Sequence, residues 1–264
     1  MKILRSSWLI IVAAVVFLVA FWFRPGGVTG PRPEAVPVEG KGFSHEAFTA
    51  VLQAVVDGEG RVDYAKLQAD PAPLDRYLGM LRAVGPANAP HRFKTADDRL
   101  AYYLNAYNAF VLAAVRDACP VESVVGLYPG GGFFWRIAFL MGGEEITLST
   151  LETERIRGVA EREPAVHFAL VKGAAGYPPL PRAAYTAEGV RAELEALSRR
   201  VVADPHFVER TGDTLVLSPL FRDYALDFTP TPTAWIGRFA PAAVAGDPTV
   251  DYRAFDDSLN GRCR

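Results

Sequence analysis

Cysteine is scarce in this chain, with only Cys119 and Cys263 among 264 residues. No CxxC pair and no Cys/His pair with zinc spacing occurs, so neither a structural metal site nor a cofactor is expected. A bridge between the two thiols would close a very long loop. Sequence does not decide whether they meet, and the reading favoured here is two unpaired small hydrophobes. Clustered basic charge is lacking too. Lys and Arg total 28 against 30 Asp and Glu, for a net charge of −2, which argues against a nucleic-acid partner. Internal repeats and low-complexity runs are missing. The glycine cluster Tyr128–Gly132 lacks the GK[ST] ending of a phosphate-cradling loop. Twenty prolines and 23 glycines exclude a plain helical bundle.

Apolar sequence, by contrast, is plentiful. Leu100–Val115, LAYYLNAYNAFVLAAV, has no Gly or Pro and reads as a helix that is apolar on nearly every side, which belongs in a core. Asn105 and Asn108, three apart, share one face, with Asp98 further up the same stripe. A buried amide left without partners costs about 1–3 kcal/mol, so this seam is built to hold a neighbouring loop or a ligand. Buried polar side chains bond mostly to backbone, which favours the loop.

Trp8–Phe23 is an unbroken apolar run flanked by Lys2, Arg5 and Arg24. As a helix it spans about 24 Å, close to a hydrocarbon core once flanking residues snorkel. It ends in Phe-Trp-Phe, a poor context for signal cleavage. An uncleaved membrane anchor is therefore expected, with the remainder extracytoplasmic or periplasmic by the positive-inside tendency. The expected organisation is an anchor over 1–24, a Pro/Gly-rich extended linker over 25–41, and one globular domain over 42–264.

Within that domain the pattern predicts a helix from Ser44, with His45 solvated in its first turn, and a helix over Pro73–Ala83. A third helix, capped by Thr95, runs through the asparagine stretch to Cys119-Pro120. Met141-Gly142-Gly143 suits a hairpin turn. Trp135 reads as a core aromatic rather than a ligand platform. Ser149 to Glu152 reads as a capping box, which gives Glu152 a structural role. Ala165–Val171, AVHFALV, alternates as a strand of a small central sheet, with His167 opposite Phe168. A long helix capped by Thr186 runs to Ala203. Tyr252–Asn260 is too apolar for a loose tail. The fold class is α+β, with helices packed around a small central sheet.

The order Val62-Asp63-Tyr64, LAYYLNAYNAFVL, LSTLETERIR, AVHFALVKGAAGYPPLPRAAYTAE, LSPLF with Asp227-Phe228, and YRAFDDSLN resembles the domain of unknown function 547 family over about residues 42–260. Asn105, Asn108, Glu152, Arg157, His167, Pro178 and Pro179 match the family pattern. Many bacterial relatives carry cysteines where this chain has Lys172 and Tyr177, and a histidine where it has Thr153. The resemblance therefore implies a marked loop without its thiols.

Two functional expectations follow. The first is a membrane-tethered binding or scaffolding module for a protein or small molecule, with Asn108, Arg157, Lys172 and Tyr177 as binding residues. The second is a cysteine-independent hydrolase or transferase, in which His167 and Glu152 exchange protons and Asn105 orients the histidine or donates to an oxyanion. A thiol enzyme using Cys119 or Cys263 requires one of them to lie beside His167.

Overall fold

The computed structural model describes residues 24–264. The expected anchor, Trp8–Phe23, lies outside the described residues. Among those described, no helix is long and apolar enough to cross a membrane.

The chain enters through strand β1 (Val28–Thr29) and then runs extended to the first helix. This linker lies along the domain. The amide of Val36 donates to Gly79 O (3.0 Å), and Arg82 and Arg92 donate to the carbonyls of Pro33 and Val38. Helix α1 is Glu46–Val55, β2 is Val62–Asp63, α2 is Tyr64–Ala69 and α3 is Ala72–Ala83. The centre of the molecule is α4, Ala96–Ala118. Thr95 and Asp98 form a reciprocal capping box at its start, and every residue from Leu100 to Arg116 is buried. With no polar face of any width, α4 is enclosed by the rest of the chain.

Gly132–Arg136 forms a short helix, α5, before the hairpin of β3 (Ile137–Met141) and β4 (Glu144–Thr147). Gly142 and Gly143, both at positive φ, make its two-residue turn. Thr147, rather than Ser149, caps the next helix by accepting from the amide of Thr150. That helix is α6 (Leu148–Thr150), a π-helical segment (Leu151–Ile156) and α7 (Arg157–Ala160). The capping-box role read for Glu152 is therefore corrected, because its carboxylate points into the interior instead.

The AVHFALV segment is not a strand. Val166–Ala169 is a single helical turn, α8, buried throughout. A short apolar run is ambiguous between buried strand and buried helix, and tertiary packing settled it. Helix α9 is Val190–Ala203, preceded by a turn in which Thr186 accepts from Gly189. The chain closes with β5 (Val208–Thr211), β6 (Thr214–Leu217), α10 (Leu220–Asp223), α11 (Pro232–Gly237), β7 (Thr249–Tyr252) and β8 (Gly261–Arg262).

The α+β class holds, but the strands do not form one central sheet. Among the described residues they form three small sheets, ordered β1-β3-β4, β2-β8 and β5-β6-β7, around a helical core. The Cys119 and Cys263 sulfurs are joined in a disulfide, with Cα atoms 5.6 Å apart. The reading of two unpaired thiols is corrected, and the thiol-enzyme reading falls with it.

Candidate functional site

Both asparagines of α4 grip backbone. Asn105 donates to Tyr185 O (2.8 Å) and accepts from Tyr185 N (2.9 Å). Asn108 donates to Ala169 O and accepts from Val171 N, both at 3.0 Å. Each amide satisfies a donor and an acceptor of an irregular segment, at sites where orphaned groups would be costly. Asn108 thus fixes the chain just before Lys172. Asn105 holds a different segment, and its amide is spent there. Its hydrogen bonds go to the Tyr185 backbone rather than to His167.

What gathers at the end of α8 is a chain of ionisable groups from separate elements. Arg157 Nη2 bonds Asp227 Oδ1 at 2.6 Å, and Asp227 Oδ2 lies 2.7 Å from His167 Nε2. The other ring nitrogen, Nδ1, faces Glu152 Oε1 at 3.5 Å. The second Glu152 oxygen takes a bond from Lys172 Nζ at 2.5 Å, and Lys172 also donates to the Tyr224 hydroxyl at 2.6 Å. Tyr224 in turn stacks on His167, with ring centres 3.7 Å apart. The rings of Phe134, Tyr177 and Tyr224 surround the ammonium at 5.2–6.0 Å.

Glu152, His167, Lys172 and Asp227 are all buried, and His167 is 1% exposed. Arg157, Tyr177 and Tyr224 form a half-buried rim. Burial pushes the Glu152 carboxyl up, but the charge and hydrogen bond of Lys172 and the nearby His167 ring more than offset this and hold it down at about 2. Burial likewise opposes ionisation of Asp227, and the bonds from His167 and Arg157 hold its carboxyl below the usual range. Burial raises the phenols of Tyr177 and Tyr224, and the nearby Glu152 charge raises both further. Arg157 and Lys172 therefore balance Glu152 and Asp227, a pairing that buried charge requires. Among the described residues, no group of His, Cys, Asp and Glu is arranged to hold a metal ion.

The sequence singled out Glu152 and His167 for acid–base chemistry and Arg157, Lys172 and Tyr177 for binding; the structure gathers all five here, together with Asp227, Tyr224 and Phe134, which sequence reasoning missed. Asp227-Phe228 stood among the quoted motifs without a role, and no local pattern tied it to a histidine 60 residues earlier. Trp135 and His45 also differ from expectation. Trp135 is only part-buried and donates to Gly130 O at 3.0 Å. His45 is half-buried against Phe43 and Tyr102, and its Nδ1 meets the Tyr77 hydroxyl at 2.7 Å. Burial lowers its ring to about 4.

The fold and site define an α+β domain organised around a helix-clamped, buried ionic centre. Residues 91–201 match the family described as "Protein of unknown function, DUF547". The matched stretch spans α4, the hairpin, Glu152, His167 and Lys172, and stops before Tyr224 and Asp227. No curated protein and no solved structure matches the chain.

Proposed function

We propose that this protein is a membrane-tethered, extracytoplasmic binding module whose ligand seat is the aromatic-rimmed corner of Lys172. The observation that carries this reading is the lack of a free nucleophile at the centre. Lys172 Nζ is held by hydrogen bonds to Glu152 and the Tyr224 hydroxyl. Both sulfurs are tied in the disulfide. The family resemblance implies a cysteine where this chain has Lys172, so on this reading a lysine stands in place of a thiol. Lys172 has three N–H donors and spends two of them. A ligand offering an oxygen acceptor and a flat face to Phe134 and Tyr177 suits the third. The disulfide supports an oxidising compartment, and the apolar Trp8–Phe23 run supports the tether.

The second reading, an acid–base enzyme using His167 and Glu152, is favoured by their 3.5 Å approach. It is weakened by the burial of both groups and by the carboxylate facing each ring nitrogen.

The test uses the full chain in detergent with benzoate as the probe. Benzoate is expected to raise the melting midpoint, and Tyr224→Phe to reduce that shift. Turnover of nitrophenyl esters that disappears in His167→Gln would reject binding in favour of catalysis. Recovery of the chain in the soluble fraction of cells would reject the tether.

A further inference from the structure

Beside Tyr177 lies a cavity of about 430 Å³, where the turn at residues 57–61 meets Pro178, Pro179 and β8. That volume falls in the range of small-molecule sites. Two glycines shape its walls. Gly60, at φ +77°, packs so closely on Pro179 that a Cβ would collide with it, and a Cβ on Gly261 would meet the backbone of Val62.

One part of the lining is apolar, formed by Val62, Leu259 and the Tyr177 ring. The other carries charges that cancel locally. Arg61 pairs with Asp57 at 3.1 Å and also with Glu59, and Arg262 pairs with Asp63 at 2.7 Å. Three carboxylates against two guanidinium groups leave little net charge to attract an ion. The two arginines are 67% and 72% exposed, so these pairs contribute little and can turn toward a ligand at small cost. Planar carboxylates and guanidinium groups offer paired acceptors and donors suited to neighbouring hydroxyls.

Asn260 supplies an independent pointer. It lines the cavity, its Oδ1 is held by the Tyr64 hydroxyl at 2.8 Å, and its buried Nδ2 has no partner. A buried amide donor in that state calls for a carbonyl.

We propose that this cavity binds a neutral, hydroxyl-rich ligand bearing an acylamido group, that is, an N-acetylated amino sugar. The acetamido carbonyl accepts from Asn260 Nδ2, its methyl rests against the apolar wall, and the hydroxyls exchange hydrogen bonds with Asp57, Arg61, Asp63 and Arg262. The inference goes beyond the Lys172 reading and does not depend on it.

The test is saturation-transfer NMR and calorimetry on the full chain in detergent, with N,N′-diacetylchitobiose as the probe and cellobiose as the analogue lacking the acetamido group. Binding in the millimolar range or tighter is expected. Cellobiose and the double variant Arg61→Ala/Arg262→Ala are each expected to be weaker by about tenfold or more, and Tyr224→Phe to be unchanged. Three results would overturn the proposal: no chitobiose signal up to about 10 mM, equal binding of cellobiose, or indifference to the arginine variant. Loss of binding in Tyr224→Phe alone would place the sugar at Lys172 and also reject this site.

Discussion

Removing one member of a buried ion pair strands the other, so Lys172→Met is expected to destabilise the protein by about 3–5 kcal/mol, measured by urea unfolding. Adding Glu152→Gln to that variant removes the stranded charge and is expected to recover most of the loss. Depression of the Glu152 carboxyl to about 2 has a definite sign. The contribution is fully present above the unfolded carboxyl's pKa of about 4.3 and is lost as pH falls toward 2. His45 adds a second acid-sensitive step at higher pH. Its folded ring is lowered to about 4, so the unfolded chain takes up a proton first, and stability falls between about pH 6.5 and 4. His45→Gln is expected to flatten the melting midpoint across that window while leaving the lower step intact. Single residues were unevenly legible in sequence. The partners of Asn108 were anticipated as backbone because a buried amide has few other options. His45 was misread because nothing local shows Phe43 and Tyr77 closing over it.

At the scale of elements, Asn108 acts as a clasp between α4 and the loop that begins at Lys172. Asn108→Ala orphans Ala169 O and Val171 N, and is expected to cost about 1–3 kcal/mol and to speed hydrogen exchange at Val171. Gly60→Ala combines a positive φ with a collision against Pro179. It is expected to destabilise by about 1–3 kcal/mol, seen as a lower urea midpoint with an unchanged slope. Elements with long periodic patterns or explicit caps, such as α3, α4 and the β3–β4 hairpin, were readable in advance. The AVHFALV turn was not, since four buried apolar residues carry no period that separates helix from strand. The expectation that the asparagine face holds neighbouring loop backbone still held for Asn108, because the clasp chemistry does not depend on backbone type.

For the whole molecule, the disulfide joins the end of α4 to the residue after β8 across a separation of 144 residues. In the chain-entropy account such a loop contributes about 5 kcal/mol, so reduction is expected to lower the melting midpoint markedly. Failure of reductant to shift it would show that the bridge constrains little. The covalent link also secures the strap running from Phe255 to Asn260. That strap pairs with the Gly173–Gly176 loop through Ala175 N to Ser258 O and Asn260 N to Gly173 O. Two cysteines 144 residues apart give no local sign that they meet, which is why this part of the architecture was invisible in the sequence.

The π-helical segment Leu151–Ile156 sets the angular phase of the centre. Five residues of ordinary α-helix turn the chain by about 500°, leaving Glu152 and Arg157 roughly 140° apart. The wider winding brings them to within roughly 50° of each other, so that both reach the His167–Asp227 pair. One surplus residue in the coil thus acts as a spacer. Rewinding the same residues as ordinary α-helix, with none removed, would swing the glutamate and the arginine onto different faces, whereas deleting one position from 153 to 156 would leave them about 40° apart as an i, i+4 pair.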